Sequence, residues 1–157
     1  MNTKEHELRP RPGGTHAVII AAGSKDVRSL LLDTFTLGLG REDRYRVHEE
    51  ETEDGAVALA LISRPSVIVL DQALRSGDGL AACRRLKADR TTRDCAVFIV
   101  SGDATAEERA RAWAAGADAF LPKPFSPKHL YELASQASRT RTQASDEDGD
   151  GRVARAG

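Results

Sequence analysis

Residues 66–80 have the sequence SVIVLDQALRSGDGL, and this stretch decides the fold. Residues 67–70 are all apolar and mostly β-branched, which is typical of a strand buried on both faces of a parallel sheet. Asp71 follows the apolar run, a polar loop comes next, and helical periodicity begins at Gly79. The stretch therefore predicts a central strand at 66–71 and a helix at about 79–88.

The same alternation continues on both sides of this stretch. Apolar runs predict further strands at 17–22, 45–49, 96–101 and 119–122. Apolar residues at helical spacing predict helices at about 27–35, 54–64, 105–115 and 126–137. Parallel strands need crossover connections, and helices usually provide them. The sequence thus predicts an α/β protein with a doubly wound, five-stranded parallel sheet, in which the weak, polar strand at 45–49 lies at an edge.

The two ends of the chain differ in composition from the middle. Residues 1–15 combine charges, two prolines and a Gly-Gly pair, and residues after Ser138 are almost all polar. Such segments bury too little apolar surface to offset the entropy of ordering. We therefore predict a disordered segment at 1–15, a folded domain at 16–138 and a disordered tail at 139–157. The tail contains DEDGDG, the opening of a calcium loop, but Gly157 stands where such a loop needs its glutamate.

Charge and cysteine content restrict the classes of partner. The formal net charge is -1, so no overall field favours nucleic acid or an anionic membrane. The longest apolar stretches are about six residues, too short to span a bilayer, and the start has no signal-peptide segment. Cys83 and Cys95 belong to no metal or disulfide pattern. We expect a cytoplasmic protein with reduced cysteines and neither nucleic acid nor membrane as a partner.

Polar residues follow the predicted strands at one edge of the sheet. Ligands of open α/β sheets bind beyond the carboxyl ends of the strands. Asp71 follows the third strand, Ser101 the fourth and Lys123 the fifth, whereas Ala22 and Gly23 follow the first. A carboxylate, a hydroxyl and an ammonium are therefore expected to converge.

These residues and their spacing resemble the receiver domain of two-component response regulators over about residues 17–137. The resemblance depends on an acidic residue that precedes an Asp-Gly pair by seven positions, a hydroxyl residue before a small one, and a lysine before a proline. The matching residues are Asp71, Asp78-Gly79, Ser101-Gly102, Gly116-Ala117-Asp118, Phe120 and Lys123-Pro124-Phe125.

The resemblance implies a flavodoxin-like (βα)5 fold that works as a phosphoryl switch. Asp71 would be the phosphoacceptor, Lys123 its charge partner and Ser101 the switch hydroxyl. Phe120 would be the aromatic switch residue, although an aromatic residue at a strand edge is often plain core. The phosphoryl donor would be a phosphohistidine of a histidine kinase or phosphotransfer protein. The fourth helix, fifth strand and fifth helix would form the responding surface.

The sequence departs from the family at the metal site. The family has two adjacent acidic residues after the first strand, which hold Mg²⁺ with the acceptor and a backbone carbonyl; the matching residues here are Ala22, Gly23, Asp71 and Ala73. One carboxylate paired with Lys123 is already neutral and should hold Mg²⁺ poorly. We therefore expect no cofactor, or at most weak Mg²⁺ binding.

Two other acids could compensate for the missing pair. Asp26 lies one helical turn further along, and Asp103 lies in a loop at the same edge. The simpler interpretation is that Asp26 complements a helix dipole and that Asp103 is a loop or cap carboxylate. We take this interpretation as the working assumption.

The leading functional hypothesis is a stand-alone, atypical receiver-like protein that is not an enzyme. The chain ends soon after the fifth helix, so we expect its output to be a contact with another signalling protein. Trp113, expected on the outer side of the fourth helix, is a candidate contact residue. The alternative is a conventional receiver phosphorylated at Asp71, and a small-molecule-binding flavodoxin-like module is a remote third hypothesis. Homodimerisation is left open.

Overall fold

Five parallel strands form one sheet in the order β2-β1-β3-β4-β5. The computed structural model describes the backbone of residues 15–37 and 44–155, and the side chains of 16–37 and 45–141. The strands are β1 (Thr15–Ala21), β2 (Arg44–Glu50), β3 (Val67–Asp71), β4 (Ala96–Ser101) and β5 (Ala119–Pro122). The predicted doubly wound parallel sheet is confirmed, and β2 lies at an edge as its polar sequence indicated.

One helix follows each strand, and short polar side chains set where the helices begin. The helices are α1 (Lys25–Thr36), α2 (Glu53–Ser63), α3 (Gly79–Ala88), α4 (Ala106–Ala114) and α5 (Pro127–Arg155). Each first turn has an N–H that donates to a capping oxygen, which Ser24, Thr52, Asp78, Thr105 and Ser126 provide in turn. Such caps satisfy N–H groups that have no partner within the helix.

The apolar core lies on both faces of the sheet. On one face, Ile68, Leu70 and Ile99 pack with α2, α3 and α4. On the other face, Val69 and Val100 pack with α1 and α5. Because β3 is covered on both faces, all five of its residues are buried. This double cover leaves the carboxyl ends of the strands as the place where polar groups meet.

Local predictions hold at α4 but fail at one position of α1. Gly116 has φ +94° directly after the last turn of α4, a left-handed conformation that glycine adopts without strain. Leu31 and Phe35 of α1 are buried as predicted. Leu30, placed in the same apolar stripe, is 43% exposed, because the buried stripe of α1 consists only of residues spaced three and four from Leu31.

The last helix is longer than the sequence predicted. We expected it to end near Ala137, but its backbone is helical to Arg155. The guanidinium of Arg141 donates to the Pro65 carbonyl and to Cys95 Sγ. The helix thus continues beyond the last residues of apolar, helical spacing, which an argument from apolar content does not indicate. Neither this helix nor any other within the described ranges has an apolar segment long enough to cross a membrane.

Both predicted domain boundaries, at 15/16 and at 138/139, fall among residues whose backbone the structure describes. Thr15, assigned to the disordered N-terminal segment, begins β1. Residues 1–14 and 156–157 lie outside the described residues. The backbone of 139–155 is helical in the structure, and the expected disorder of the tail stays a prediction. The limits of 16–138 for the folded domain stay a prediction.

Candidate functional site

A polar cleft of about 700 Å³ lies at the carboxyl ends of β3, β4 and β5. It brings together three residues that the sequence placed at strand ends, Asp71, Ser101 and Lys123. Its ionisable lining residues are three carboxylates and three cations: Asp71, Asp78, Asp103, Arg84, Arg111 and Lys123. The formal charges cancel, so the whole cleft is neutral, and not only its central pair.

Asp71 forms a direct ion pair with Lys123. The Lys123 Nζ atom lies 2.7 Å from Asp71 Oδ2, and the Ala73 N–H donates to Asp71 Oδ1 at 3.0 Å. Asp71 is only 1% exposed. A carboxylate this buried needs a partner for each oxygen, and both of its oxygens have one.

The hydroxyl of Ser101 is bonded to a side chain that the sequence analysis did not single out. Ser101 Oγ donates to Gln72 Oε1 at 2.6 Å and accepts from the Asp103 N–H at 3.1 Å. Gln72 follows Asp71, and its N–H donates to the Val100 carbonyl, which places it beside the end of β4. The register of β3 and β4 was the signal that could have indicated this contact.

Phe120 lies in the core beneath α4. It is buried in the same apolar cluster as Ala112 and Ala115. The Arg109 Cζ atom lies 5.1 Å from the ring centroid, a distance at which a guanidinium is attracted to the ring. This buried position is compatible with both interpretations that the sequence left open, which are plain core packing and an aromatic switch residue.

The end of β1 faces a loop instead of the cleft. The Gly23 N–H donates to the Ala73 carbonyl at 3.0 Å, and the Ala22 N–H donates to the Glu50 carbonyl at 3.1 Å. Among the described residues that line the cleft, none comes from β1 or α1. Ala21 pairs with Leu70, so Ala22 lies beside Asp71 in the sheet, whereas Gly23 packs against the loop after β3.

The oxygen donors at this edge do not fit a magnesium ion. Mg²⁺ requires a near-octahedral oxygen shell and is usually anchored by carboxylates. Asp71 is already paired with Lys123, and the Ala73 carbonyl accepts the Gly23 N–H. Within the part of the chain that the structure describes, no group of three or more acidic, histidine or cysteine residues could hold a metal.

The two candidate compensating acids occupy different places. Asp26 is exposed in the first turn of α1 and is not a lining residue of the cleft. Asp103 does line the cleft. Its Oδ1 accepts the Thr105 N–H at 3.0 Å, and this hydrogen bond lowers the pKa of Asp103 below its ordinary value. Asp103 thus already works as a local cap of the loop before α4.

Trp113 lies on the outside of α4. Its side chain is 52% exposed, whereas Ala112 and Ala115 are buried. This is the orientation that the sequence predicted. An exposed tryptophan is a frequent anchor of protein interfaces, so its placement is compatible with the expected contact role.

Sequence comparison finds one family over most of the folded domain. The model of the response regulator receiver domain matches residues 18–135. The phosphate regulon transcriptional regulatory protein PhoB of Escherichia coli (strain K12) is 38% identical over 89 residues, which are 57% of this chain and 39% of PhoB. Response regulator MprA of Mycobacterium sp. (strain KMS) is 37% identical over 103 residues, 64% of this chain and 43% of MprA. The chain spans about two fifths of the length of these relatives.

Solved structures show the same fold. A CheY-like response regulator receiver domain protein from Methanospirillum hungatei JF-1 has a TM-score of 0.72 at 18% identity, covering 83% of this chain and 99% of that one. The receiver domain of sensor histidine kinase PA1611 from Pseudomonas aeruginosa PAO1, with a magnesium ion coordinated in its active site cleft, has a TM-score of 0.67 at 22% identity, covering 80% and 98%. At these identities the likeness concerns the architecture alone.

Proposed function

The chain belongs to the response regulator receiver domain family of two-component signalling, and from this premise we propose that it is an atypical receiver with weak or no Mg²⁺-dependent phosphorylation. It acts by protein–protein contact through α4, β5 and α5. Receiver domains are the phosphorylation targets of histidine kinases, so its partner is a histidine kinase, a phosphotransfer protein or another signalling protein. The module is not an enzyme.

The observation that supports this proposal is the Asp71–Lys123 ion pair in a cleft without the acidic pair. Phosphoryl transfer needs cations that neutralise the oxygens of the transferring group. Lys123 is already bonded to Asp71 at 2.7 Å, and Ala22 and Gly23 have no side-chain oxygen for a metal. Losing one such stabilising charge costs about 3 kcal/mol, roughly a hundredfold in rate.

The proposed signalling surface is the one formed by α4, β5 and α5. Phe120 packs beneath α4 while Trp113 is half exposed on the same helix. A change in the packing of Phe120 would therefore move the helix that presents Trp113. We propose that Trp113 anchors the partner, since interfacial tryptophans often dominate binding energy.

The second candidate is a conventional receiver that is phosphorylated at Asp71. The convergence of Asp71, Lys123 and Ser101 on one cleft favours it, because these are the acceptor, charge partner and switch hydroxyl that the family resemblance implies. A small-molecule-binding role in the same cleft stays a remote alternative. No described feature selects a ligand for it.

The experiment is phosphorylation by acetyl phosphate with Mg²⁺, followed over time by intact-mass spectrometry. We expect little or no gain of a phosphoryl group on the wild-type protein. Asp71→Asn is the control, and an active receiver treated in parallel shows that the donor works. A phosphoryl gain that Asp71→Asn abolishes would establish the conventional receiver and overturn the atypical one.

Three finer expectations from the sequence stay predictions. They are the stand-alone character of the protein, its cytoplasmic location and the absence of a nucleic-acid partner. PhoB is by name a transcriptional regulatory protein, and the matching segment covers 39% of it. The near-neutral charge of the chain supports the expectation that this segment itself does not bind nucleic acid.

A further inference from the structure

The loop between β3 and α3 lies directly against the end of β1. A Cβ atom at Gly23 would lie 2.8 Å from Arg75 N, 3.0 Å from the carbonyl carbon of Leu74 and 3.1 Å from Ala73 O. All three are backbone atoms, which cannot move aside as a flexible side chain can. Only glycine permits this approach, so the closed loop leaves no room for a side chain at one position of the missing acidic pair.

Ion pairs of Glu51 hold the loop in this place. Glu51 Oε1 lies 3.1 Å from Arg28 Nη2, and Glu51 Oε2 lies 3.0 Å from Arg75 Nη1. The Arg75 N–H also donates to the Glu51 carbonyl at 2.8 Å. One residue thus joins α1 on one side to the loop on the other.

Arg28 secures the end of β1 to the same group. Its Nη1 atom donates to the Ala22 carbonyl at 2.8 Å and to the Gly23 carbonyl at 3.3 Å. The Arg28 side chain is 14% exposed, whereas that of Arg75 is 73% exposed. Exposed pairs contribute little to stability, and the Arg28–Glu51 pair is the less exposed half of the connection.

The loop is fastened at its far end as well. The Glu53 N–H donates to the Ser76 carbonyl at 2.9 Å, and Glu53 Oε1 accepts the Asp78 N–H at 3.2 Å. The residues from Glu51 to Glu53 therefore contact the β3–α3 loop from Arg75 to Asp78. Glu51 also contacts Arg28 of α1.

We propose that Arg28, Glu51 and Arg75 form a loop clamp that holds the β3–α3 loop closed on Gly23 and is a second barrier to metal binding, separate from the missing acids. The clamp deepens the proposed atypical function, since it keeps the Ala73 carbonyl bonded to the Gly23 N–H. Restoring an acid at the end of β1 is then insufficient for magnesium binding until the loop is released.

Calorimetry with Mg²⁺ alone tests the clamp on an acid-restored background. Ala22→Asp adds a carboxylate at a position that already has a Cβ, and Glu51→Gln removes the ion pairs with little change of shape. We expect the double variant to bind Mg²⁺ about tenfold or more tightly than Ala22→Asp alone. Charge alone predicts the opposite result, because Glu51→Gln removes a negative charge that attracts a cation.

A matched control and a second measurement keep the test decisive if Ala22→Asp does not fold. Glu49→Gln removes an exposed carboxylate from β2, two residues before Glu51 and outside the ion pairs of the clamp. Hydrogen exchange is measured on the single variants without Ala22→Asp. The Gly23 and Arg75 amides should exchange faster in Glu51→Gln than in wild type, and their exchange rates should be unchanged in Glu49→Gln. Their hydrogen bonds to Ala73 and Glu51 are the ones that the clamp protects.

Three results would each overturn the proposal. The first is equal exchange of these amides in wild type and Glu51→Gln, and the second is an equal acceleration in Glu49→Gln. The third is a folded Ala22→Asp variant whose Mg²⁺ affinity Glu51→Gln fails to increase. No phosphoryl donor is present in either measurement, so the clamp can fail while the phosphorylation result stands, and the reverse.

Discussion

The Ser101 hydroxyl and the Gln72 amide oxygen lie 2.6 Å apart, so the hydroxyl at the end of β4 is bonded to the residue that follows Asp71 and not to Asp71 itself. Ser101 is buried, and its oxygen also accepts the Asp103 N–H. Both hydrogen-bonding functions of the hydroxyl are therefore in use. Any movement of Ser101 towards Asp71 must first break the contact with Gln72.

We expect a measurable energetic coupling between these two side chains. Gln72→Ala leaves a buried hydroxyl without an acceptor and should lower the free energy of unfolding by about 1–2 kcal/mol. In a double-mutant cycle with Ser101→Ala, urea denaturation should give a coupling of roughly 1 kcal/mol. A coupling near zero would mean that the short contact does not contribute to stability.

The Asp71–Lys123 pair leads to a second stability prediction. Lys123→Met removes the cation from a carboxylate that is almost fully buried. Because Lys123 itself is partly exposed, we expect a loss of about 2 kcal/mol, less than for a fully buried pair. Adding Asp71→Asn should recover part of this loss, since no charge is then left unpaired. An unchanged midpoint of urea unfolding in Lys123→Met would contradict the prediction.

Magnesium binding by the wild-type protein is the third prediction. Calorimetric titration should give weak heats that do not saturate, because Asp71 is paired and Asp26 lies outside the lining of the cleft. Asp26→Asn, Asp71→Asn and Asp103→Asn should leave these heats unchanged. Stoichiometric uptake that any one of the three variants abolishes would identify that carboxylate as a metal ligand and refute the neutral-cleft argument.

The architecture was predictable because its signals are local. The run 67–70 between polar residues indicated a strand buried on both faces, and the structure buries all of β3. Helical periodicity indicated a helix that begins at Gly79, and the Asp78 carboxylate caps that helix by accepting the Ala81 N–H at 2.7 Å. Each of these features depends on residues within one helical turn or one strand.

The missed features depend on contacts between distant segments. Gln72 meets Ser101 across 29 positions, and Arg75 meets Glu51 across 24. Charge patterns do not indicate such pairs, because surface charges are usually solvated and their partners depend on how loops pack. The closed loop over Gly23 was missed for the same reason, although its glycine, one of two small residues in place of acids, was noticed.

Acid should weaken the contribution of Glu51 to stability, which gives the fourth prediction. The hydrogen bond from Arg75 and the positive charge of Arg28 lower the pKa of Glu51 below its ordinary value of 4.5. A carboxyl group with a lowered folded-state pKa stabilises the protein above its unfolded-state pKa, and this contribution is lost as the pH falls through the folded-state value. The difference in unfolding free energy between wild type and Glu51→Gln should therefore be present at about pH 7 and shrink below about pH 4.

Urea denaturation across this pH range measures the difference, with Glu49→Gln as the charge-matched control. A difference that stays constant in acid would show that it does not come from the charge of Glu51.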